Sequence, residues 1–315
     1  MWAFSILLED MLIKDYFDDC IGQEKIRKTL SFYVSVFKKT SVFRNCLFSG
    51  QKGAGKTYFA RKIGENLNGR PYYEINSETV DSVITLWDEV LLPFVVDREV
   101  VCFFDEVHAL NERVTNFLLS ILAPNPDYIN DVRYNNQTYS FDSRRFTFLS
   151  ATTEPQKVAR PLKDRLKQIS LIDYSKVELL QIVQKYCEID LSMNVLEYLG
   201  GYIRNNARSA TDLAQEINNY CKLNGKSSFS LNEAKDLISI LNIFEFGFTN
   251  LEVQILNSIA RGGASSLARL AAKSGLTSAA QKELEGNLLR LDLMEIDGQR
   301  RITPQGVEYL NRNLK

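Results

Sequence analysis

Gly50-Gln51-Lys52-Gly53-Ala54-Gly55-Lys56-Thr57 is the stretch whose reading decides the fold. It fits the phosphate-binding pattern G-x-x-x-x-G-K-[ST] at every fixed position. The glycines let the backbone turn tightly enough for its N–H groups to point inward at phosphate oxygens. Lys56 brings a compact positive charge to the β- and γ-phosphates, and Thr57 offers a hydroxyl to Mg²⁺. The helix that follows adds the partial positive charge of its N-terminus. Residues Gly50 to Thr57, with Tyr58 behind them, are therefore the expected nucleotide-binding set, with ATP and Mg²⁺ as the expected ligands.

The flanks have the required order. Cys46-Leu47-Phe48-Ser49 is a short apolar run suited to a buried strand, and Phe59, Ala60, Ile63 and Leu67 then recur at helical spacing. About fifty residues downstream, Val100-Val101-Cys102-Phe103-Phe104-Asp105-Glu106 places five apolar residues before two carboxylates. Such a run predicts a strand buried on both faces. An acid at that strand end suits the water shell of Mg²⁺, which is Asp105's expected role. Glu106 is placed to take a proton from an attacking water. His108 is the only histidine; alone it cannot build a metal site, and it reads as a structural or relay residue beside the acids.

At 315 residues the chain is long enough for two or three domains. A composition of 45% hydrophobic and 24% charged residues is that of an ordinary globular protein. The net charge of −1 means that any nucleic-acid surface has to be local. The five cysteines include no C-x-x-C pair, which predicts reduced, buried thiols in a cytoplasmic protein. Met1 to Leu8 is apolar but lacks a basic leader and runs into Glu9-Asp10, an expectation against a signal peptide. No uninterrupted apolar run is long enough for a bilayer, so no membrane partner is expected.

The remaining chain predicts alternating strands and helices as far as Asp173. Ile26, Leu30, Tyr33, Val34 and Phe37 mark a helix after Cys20-Ile21-Gly22-Gln23-Glu24. Tyr72 to Ile75 reads as a strand, and Ser77 as the cap of a helix ending near Val90, before Pro93. Asn111 caps a helix carrying Val114, Phe117, Leu118, Ile121 and Leu122, which Pro124 stops. Ile129 to Phe141 reads as a hairpin, Phe146 to Ser150 as a buried strand delivering Ala151-Thr152-Thr153, and Gln168 to Ile172 as a last strand. This alternation gives an α/β fold: a parallel-sheet P-loop domain over 1–173, with ligands at the strand C-termini. An all-helical segment is expected over 174–242, opened by capping boxes such as Ser175…Glu178 and Ser230…Glu233. Over 243–315, three short helices and a hairpin at Asp297-Gly298 form the winged-helix pattern.

Taken together, these residues resemble the RuvB family, the AAA+ motors of Holliday-junction branch migration. The likeness covers nearly the whole chain: Ile21-Gly22-Gln23-Glu24-Lys25, the P-loop, and Asp105-Glu106-Val107-His108-Ala109-Leu110-Asn111. It continues through Ser150-Ala151-Thr152-Thr153, Pro161-Leu162-Lys163-Asp164-Arg165, a helical lid and a winged helix. The resemblance implies that Thr153, or its neighbour Thr152, senses the γ-phosphate. It implies that Ile21 lies against the nucleotide, and that Arg165 is an arginine finger for a neighbouring subunit of a hexameric ring. For Arg165, an ion pair with Asp164 or Asp173 is the competing assignment.

The chain departs from the family pattern in three places. The lid's Arg-Gly-Thr-Pro-Arg run is here Arg208-Ser209-Ala210-Thr211-Asp212, so Asp212 stands at the sensor position and only Arg208 remains near the nucleotide. The segment between Asp131 and Phe146 is shorter than the hairpin with which the family docks its junction-binding adaptor. Tyr16-Phe17 stand where the family has Arg-Pro.

The expected function is an ATP-driven, ring-forming DNA translocase. The alternatives are an AAA+ loader or initiator that positions a protein on DNA, and a slowly hydrolysing ATP-binding scaffold. From residue 250 to the end, nine basic residues face seven acidic ones, a balance that favours backbone contact over base reading. Arg300 and Arg301, beside the Asp297-Gly298 turn, are the expected phosphate contacts, against a solvated wing tip as the other reading.

Overall fold

The computed structural model describes residues 14–314; the apolar stretch Met1 to Leu8 lies outside them. The chain divides into two compact units, Met1–Tyr174 and Ser175–Lys315.

In the first unit, five parallel strands stand in the order β2-β3-β6-β1-β7. They are β1 (Cys46–Ser49), β2 (Tyr72–Asn76), β3 (Val100–Asp105), β6 (Phe146–Thr152) and β7 (Lys167–Ser170). Side chains alternate across the pleat, so successive residues enter opposite cores. Leu47, Cys102, Phe104 and Phe148 face one layer; Cys46, Phe48, Val101, Phe103 and Leu149 face the other. Both faces are therefore buried, which is why these strands read as unbroken apolar runs. Burial of each such large side chain contributes roughly 1.5–3 kcal/mol.

Helix α1 (Glu24–Thr40) and α2 (Lys56–Asn66) pack on the second of these layers through Leu30, Val34 and Phe37 and through Phe59 and Ile63. Phe17, fully buried, joins the same layer with its ring 6.0 Å from that of Phe59. On the opposite layer lie α3 (Val83–Thr85, continued by a π-helix Leu86–Val95) and α4 (Glu112–Ile121). The expected helix from Ser77 to Val90 is displaced. Asn76 caps a 3₁₀ turn over Ser77–Thr79 instead, and Ser82 caps α3 by accepting Thr85 N–H. The helix then runs through Pro93. The wider i→i+5 turn, seen in Val96 N–H donating to Leu91 O at 2.8 Å, takes up a residue that has no N–H to give.

The hairpin β4 (Ile129–Tyr134) and β5 (Gln137–Asp142) turns at Asn135-Asn136, both at positive φ, and lays Tyr134 and Tyr139 on Trp87. Helix α5 (Arg160–Arg165) follows β6.

The second unit opens with α6 (Lys176–Tyr186), α7 (Met193–Leu199), α8 (Ala207–Leu223) and α9 (Leu231–Ile240); the capping boxes of α6 and α9 are both formed. Helices α10 (Asn250–Gly262), α11 (Leu267–Ser274) and α12 (Ser278–Arg290) then pack with β8 (Met294–Asp297) and β9 (Gln299–Ile302) around Leu256, Ile259, Leu288 and Tyr309. A further helix, α13 (Pro304–Asn313), lies beyond the expected hairpin. Its start is written in Thr303-Pro304: Thr303 accepts Gly306 N–H, and proline suits the first helical position.

Candidate functional site

Sheet register assembles the site. Ser49 pairs with Thr152, and Phe104 with Ser150, so β6 lies between β1 and β3. The P-loop therefore begins beside Thr153, while Asp105 and Glu106 emerge on the other side of β6. Residues about fifty and a hundred positions apart meet because three parallel strands end at one level.

The loop has the shape of an anion cradle. Gly55 is the N-cap of α2 at φ 101°, with no side chain accepting from the helix's first N–H groups. N–H groups at such a helix start suit an anionic ligand. A Cβ on Gly55 would meet the Tyr174 hydroxyl at 3.3 Å, and that hydroxyl donates to Ala54 O at 3.2 Å. Lys56, only 6% exposed, donates through Nζ to Gly50 O at 2.9 Å and Gln51 O at 3.1 Å. The ammonium thus stands inside the loop, where a polyphosphate chain needs it. Thr57 is half-buried next to it, Lys52 is exposed, and Tyr58 donates to Asp19 at 3.2 Å.

Asp105 ends β3 half-buried. Burial raises its carboxyl above the ordinary value. The N–H of Glu106 and the charge of Lys56 oppose the rise, while the charge of Glu106 adds to it. A desolvated carboxylate of this kind is short of positive charge, which suits a cation ligand. Among the described residues no cluster of three or more His, Cys, Asp or Glu side chains could hold a metal by itself. A divalent ion here would be shared with a phosphate and the Thr57 hydroxyl.

Glu106 takes a left-handed conformation at φ 49°, which turns its side chain back toward β6. Its Oε2 accepts from Thr153 N–H at 3.0 Å and from Thr153 Oγ1 at 2.9 Å. His108 Nδ1 lies 3.2 Å from the same oxygen and 2.9 Å from Thr152 Oγ1, and Nε2 lies 3.2 Å from Glu154. The two threonines are thereby separated: Thr152 is fully buried against His108, and Thr153 faces the acid.

Gln23 did not stand out in the sequence beyond its place in the Ile21-Gly22-Gln23 box. It is buried at the head of α1, donates through Nε2 to Ile172 O at 2.6 Å and accepts Ile172 N–H at 3.2 Å. This bidentate pairing fixes the half-buried Ile21 turn to the chain just beyond β7. Arg165, the last residue of α5, has one hydrogen bond, from Nη1 to Pro161 O at 3.4 Å, and a buried Nε without a partner. No carboxylate pairs with it among the described residues; Asp164 lies 4.0 Å from Arg160.

The other expected residues belong to the second unit. Arg208 is exposed in the first turn of α8. The two wing arginines differ. Arg300 is half-buried, its side chain 11% exposed, with its guanidinium on the buried Glu285 at 3.1 Å. Arg301 is 53% exposed and 3.8 Å from Asp297.

Residues 12–172 match the family model described as the Holliday junction DNA helicase RuvB P-loop domain. The chain is 26% identical over 312 residues to the Holliday junction branch migration complex subunit RuvB of Mycoplasmopsis pulmonis, covering 94% of this chain and 96% of that protein. The Mycoplasmopsis synoviae counterpart is 26% identical over 310 residues, covering 93% and 95%. The solved Thermotoga maritima RuvB Holliday junction branch migration motor superposes with a TM-score of 0.77 at 23% identity, over 95% of this chain and 98% of that one, a likeness of fold.

Proposed function

The chain belongs to the RuvB family of AAA+ ATPases, and from that premise we propose that it is an ATP-driven, ring-forming motor that moves branched DNA. The observation that carries the reading is the convergence of Lys56, Asp105, Glu106 and Thr153 at the ends of three adjacent strands. Each has a distinct task in phosphoryl transfer to water. The P-loop N–H groups and Lys56 hold the triphosphate of ATP. Thr57 and Asp105 would hold Mg²⁺, which when bound neutralises charge on the β- and γ-oxygens. Glu106 accepts the proton of the attacking water, and Thr153 contacts the γ-phosphate. Arg165, which has no carboxylate partner among the described residues, would reach a phosphate held by the next copy in a ring, as a guanidinium on a long stem can.

On the DNA side the reading rests on the winged-helix unit, where Arg301 is the exposed backbone contact and Arg300 supports the wing from within. The aromatic hairpin β4–β5 is the proposed seat of a junction-binding adaptor. No helix among the described residues is long and apolar enough to cross a membrane, and we place the protein in the cytoplasm.

Measurement of ATP hydrolysis with and without duplex or four-way-junction DNA, alongside strand displacement from a labelled junction, tests the proposal. DNA-stimulated hydrolysis with displacement is expected. Stimulation without displacement would replace the motor by a loader, and no hydrolysis under any condition would leave a scaffold.

A further inference from the structure

The N-terminal ends of β1 and β7 form one corner of the sheet. Their first residues, Cys46 and Lys167, pair with each other, and Lys167 N–H donates to Asn45 O at 2.8 Å. Arg44 stands two residues before β1, and Arg165 stands two residues before β7. Paired strands run about 4.8 Å apart, so the two arginines enter the same corner from neighbouring segments. The backbone beside Arg44 is tied on both sides. Asn45 Oδ1 accepts Phe148 N–H of β6 at 2.9 Å, while Asn45 O is held from β7. The stem of Arg44 therefore leaves a fixed point.

The corner is positive and uncompensated. Arg44 and Lys167 are exposed, and among the described residues no carboxylate pairs with either of them or with Arg165. Asp164, the nearest acid in sequence, lies 4.0 Å from Arg160 instead. Burial pushes the Cys46 thiol up to about 12, and the charges of Arg44 and Lys167 both act against that rise, so both cations stand over one strand end. Like charges gathered on adjacent strands repel each other and give the fold nothing. An anion entering the corner would relieve that repulsion.

We propose that Arg44 is a second cation supplied across the subunit boundary, closing with Arg165 on the triphosphate held by the next copy of this chain. This rests on the ring reading, which already brings Arg165 to that phosphate, and adds a residue from a different strand. A guanidinium is planar, always charged and carried on a long stem, so two of them leaving adjacent segments can take separate oxygens of one phosphate chain. In the isolated chain the pair faces water, where an ionic contact contributes little. Between copies, away from bulk water, the same charges act more strongly on the phosphate. Hydrolysis is thereby tied to assembly through two residues of one copy.

The test is steady-state hydrolysis of saturating ATP with Mg²⁺ by the full chain, with thermal unfolding as the control for folding. Arg44→Ala should lower kcat about ten- to a hundredfold, the range of one hydrogen bond to a charged group, with Tm unchanged. Arg44→Met, which keeps much of the stem without the charge, should behave as alanine does. A methionine variant at the unaltered rate, or a loss of rate that follows a loss of Tm, overturns the assignment. Mixing Arg44→Ala with Lys56→Ala protein, which carries Arg44 but no working nucleotide site, should restore part of the rate. Mixing Arg44→Ala with Arg165→Ala should restore nothing, because every boundary then lacks one of the two cations. Recovery in that second mixture, or none in the first once mixed oligomers have formed, overturns the shared site. A normal rate for Arg44→Ala beside a slow Arg165→Ala removes Arg44 alone. Normal rates for both, or no hydrolysis by the unaltered chain, remove the finger of the ring reading together with Arg44.

Discussion

Replacement of Lys56 by alanine separates two contributions that the structure locates in one side chain. The first is internal. Nζ donates to Gly50 O and Gln51 O at 2.9 and 3.1 Å from a residue only 6% exposed. Alanine is at least as good a helix former as lysine, so α2 itself is not weakened. What is lost is a pair of charge-assisted bonds whose carbonyl partners lie in a surface loop that water can reach. The expected loss is therefore about 1–2 kcal/mol rather than the full value of two such bonds. For a unit of this size that lowers Tm by about 2–8 °C. The second contribution is to binding. At a nucleotide concentration of about a hundred times Kd, a folded protein gains about 2.7 kcal/mol, which raises Tm by about 5–11 °C. The assay is thermal unfolding with and without ATP and Mg²⁺. The unaltered protein should show the ligand-induced rise. Lys56→Ala should start a few degrees lower and show none, because the other loop lysine, Lys52, is exposed at a variable position of the motif. A Lys56→Ala protein whose Tm rises with ATP as far as that of the unaltered chain would refute the assignment of the loop.

Four further outcomes are expected. Arg165→Ala should bind ATP yet hydrolyse it about 10³–10⁵-fold more slowly; mixing it with Lys56→Ala protein should restore part of the rate, and mixed oligomers with no recovery would rule out a finger acting between subunits. Arg301→Ala should reduce DNA affinity equally for unrelated sequences and lower the salt slope by about one ion, while Arg300→Ala should chiefly lower stability, because it leaves Glu285 buried and unpaired; a protein equally stable with either change would contradict that division. Glu252 is fully buried and accepts from Arg204 at 2.6 Å and from Thr249, so Glu252→Ala should cost about 3–5 kcal/mol in denaturant unfolding, and a loss below about 1 kcal/mol would mean that the pair is dispensable. The bond from Lys226, with those of Ser230, holds the Glu233 carboxyl down to about 2, against 4.5 in the unfolded chain. A folded value depressed in this way contributes stability that is full above 4.5 and disappears as pH falls toward 2, so Glu233→Gln should flatten the acid side of the stability curve over that window, and an unchanged acid limb would argue against the link.

What the sequence discloses and what it conceals separate along a physical line. The P-loop, the acidic strand end and the capping boxes were legible because each is a local pattern whose chemistry is complete within a few residues. Capping boxes at Ser175, Ser230 and Thr249 are formed as spaced. The Thr303-Pro304 helix start belongs to the same class, an N-cap threonine followed by a proline at the first helical position. A helix ending near Val90, before Pro93, is the local expectation, since proline breaks an i→i+4 ladder; nothing local says that the ladder has widened to i→i+5. The remaining features depend on partners far along the chain. Gln23 acquires its role from Ile172, 149 residues away, and Glu106 from Thr153, 47 residues away. The wing illustrates the principle most sharply. Counting charges treats Arg300 and Arg301 as equal, yet side chains alternate across a strand, so one of two neighbours must face inward. Arg300 is that one, and Glu285 on α12 meets it. A pair of adjacent arginines on a wing can therefore offer one guanidinium to a phosphate and spend the other on its own fold, and the alternation that dictates this is visible in sequence once the strand has been placed.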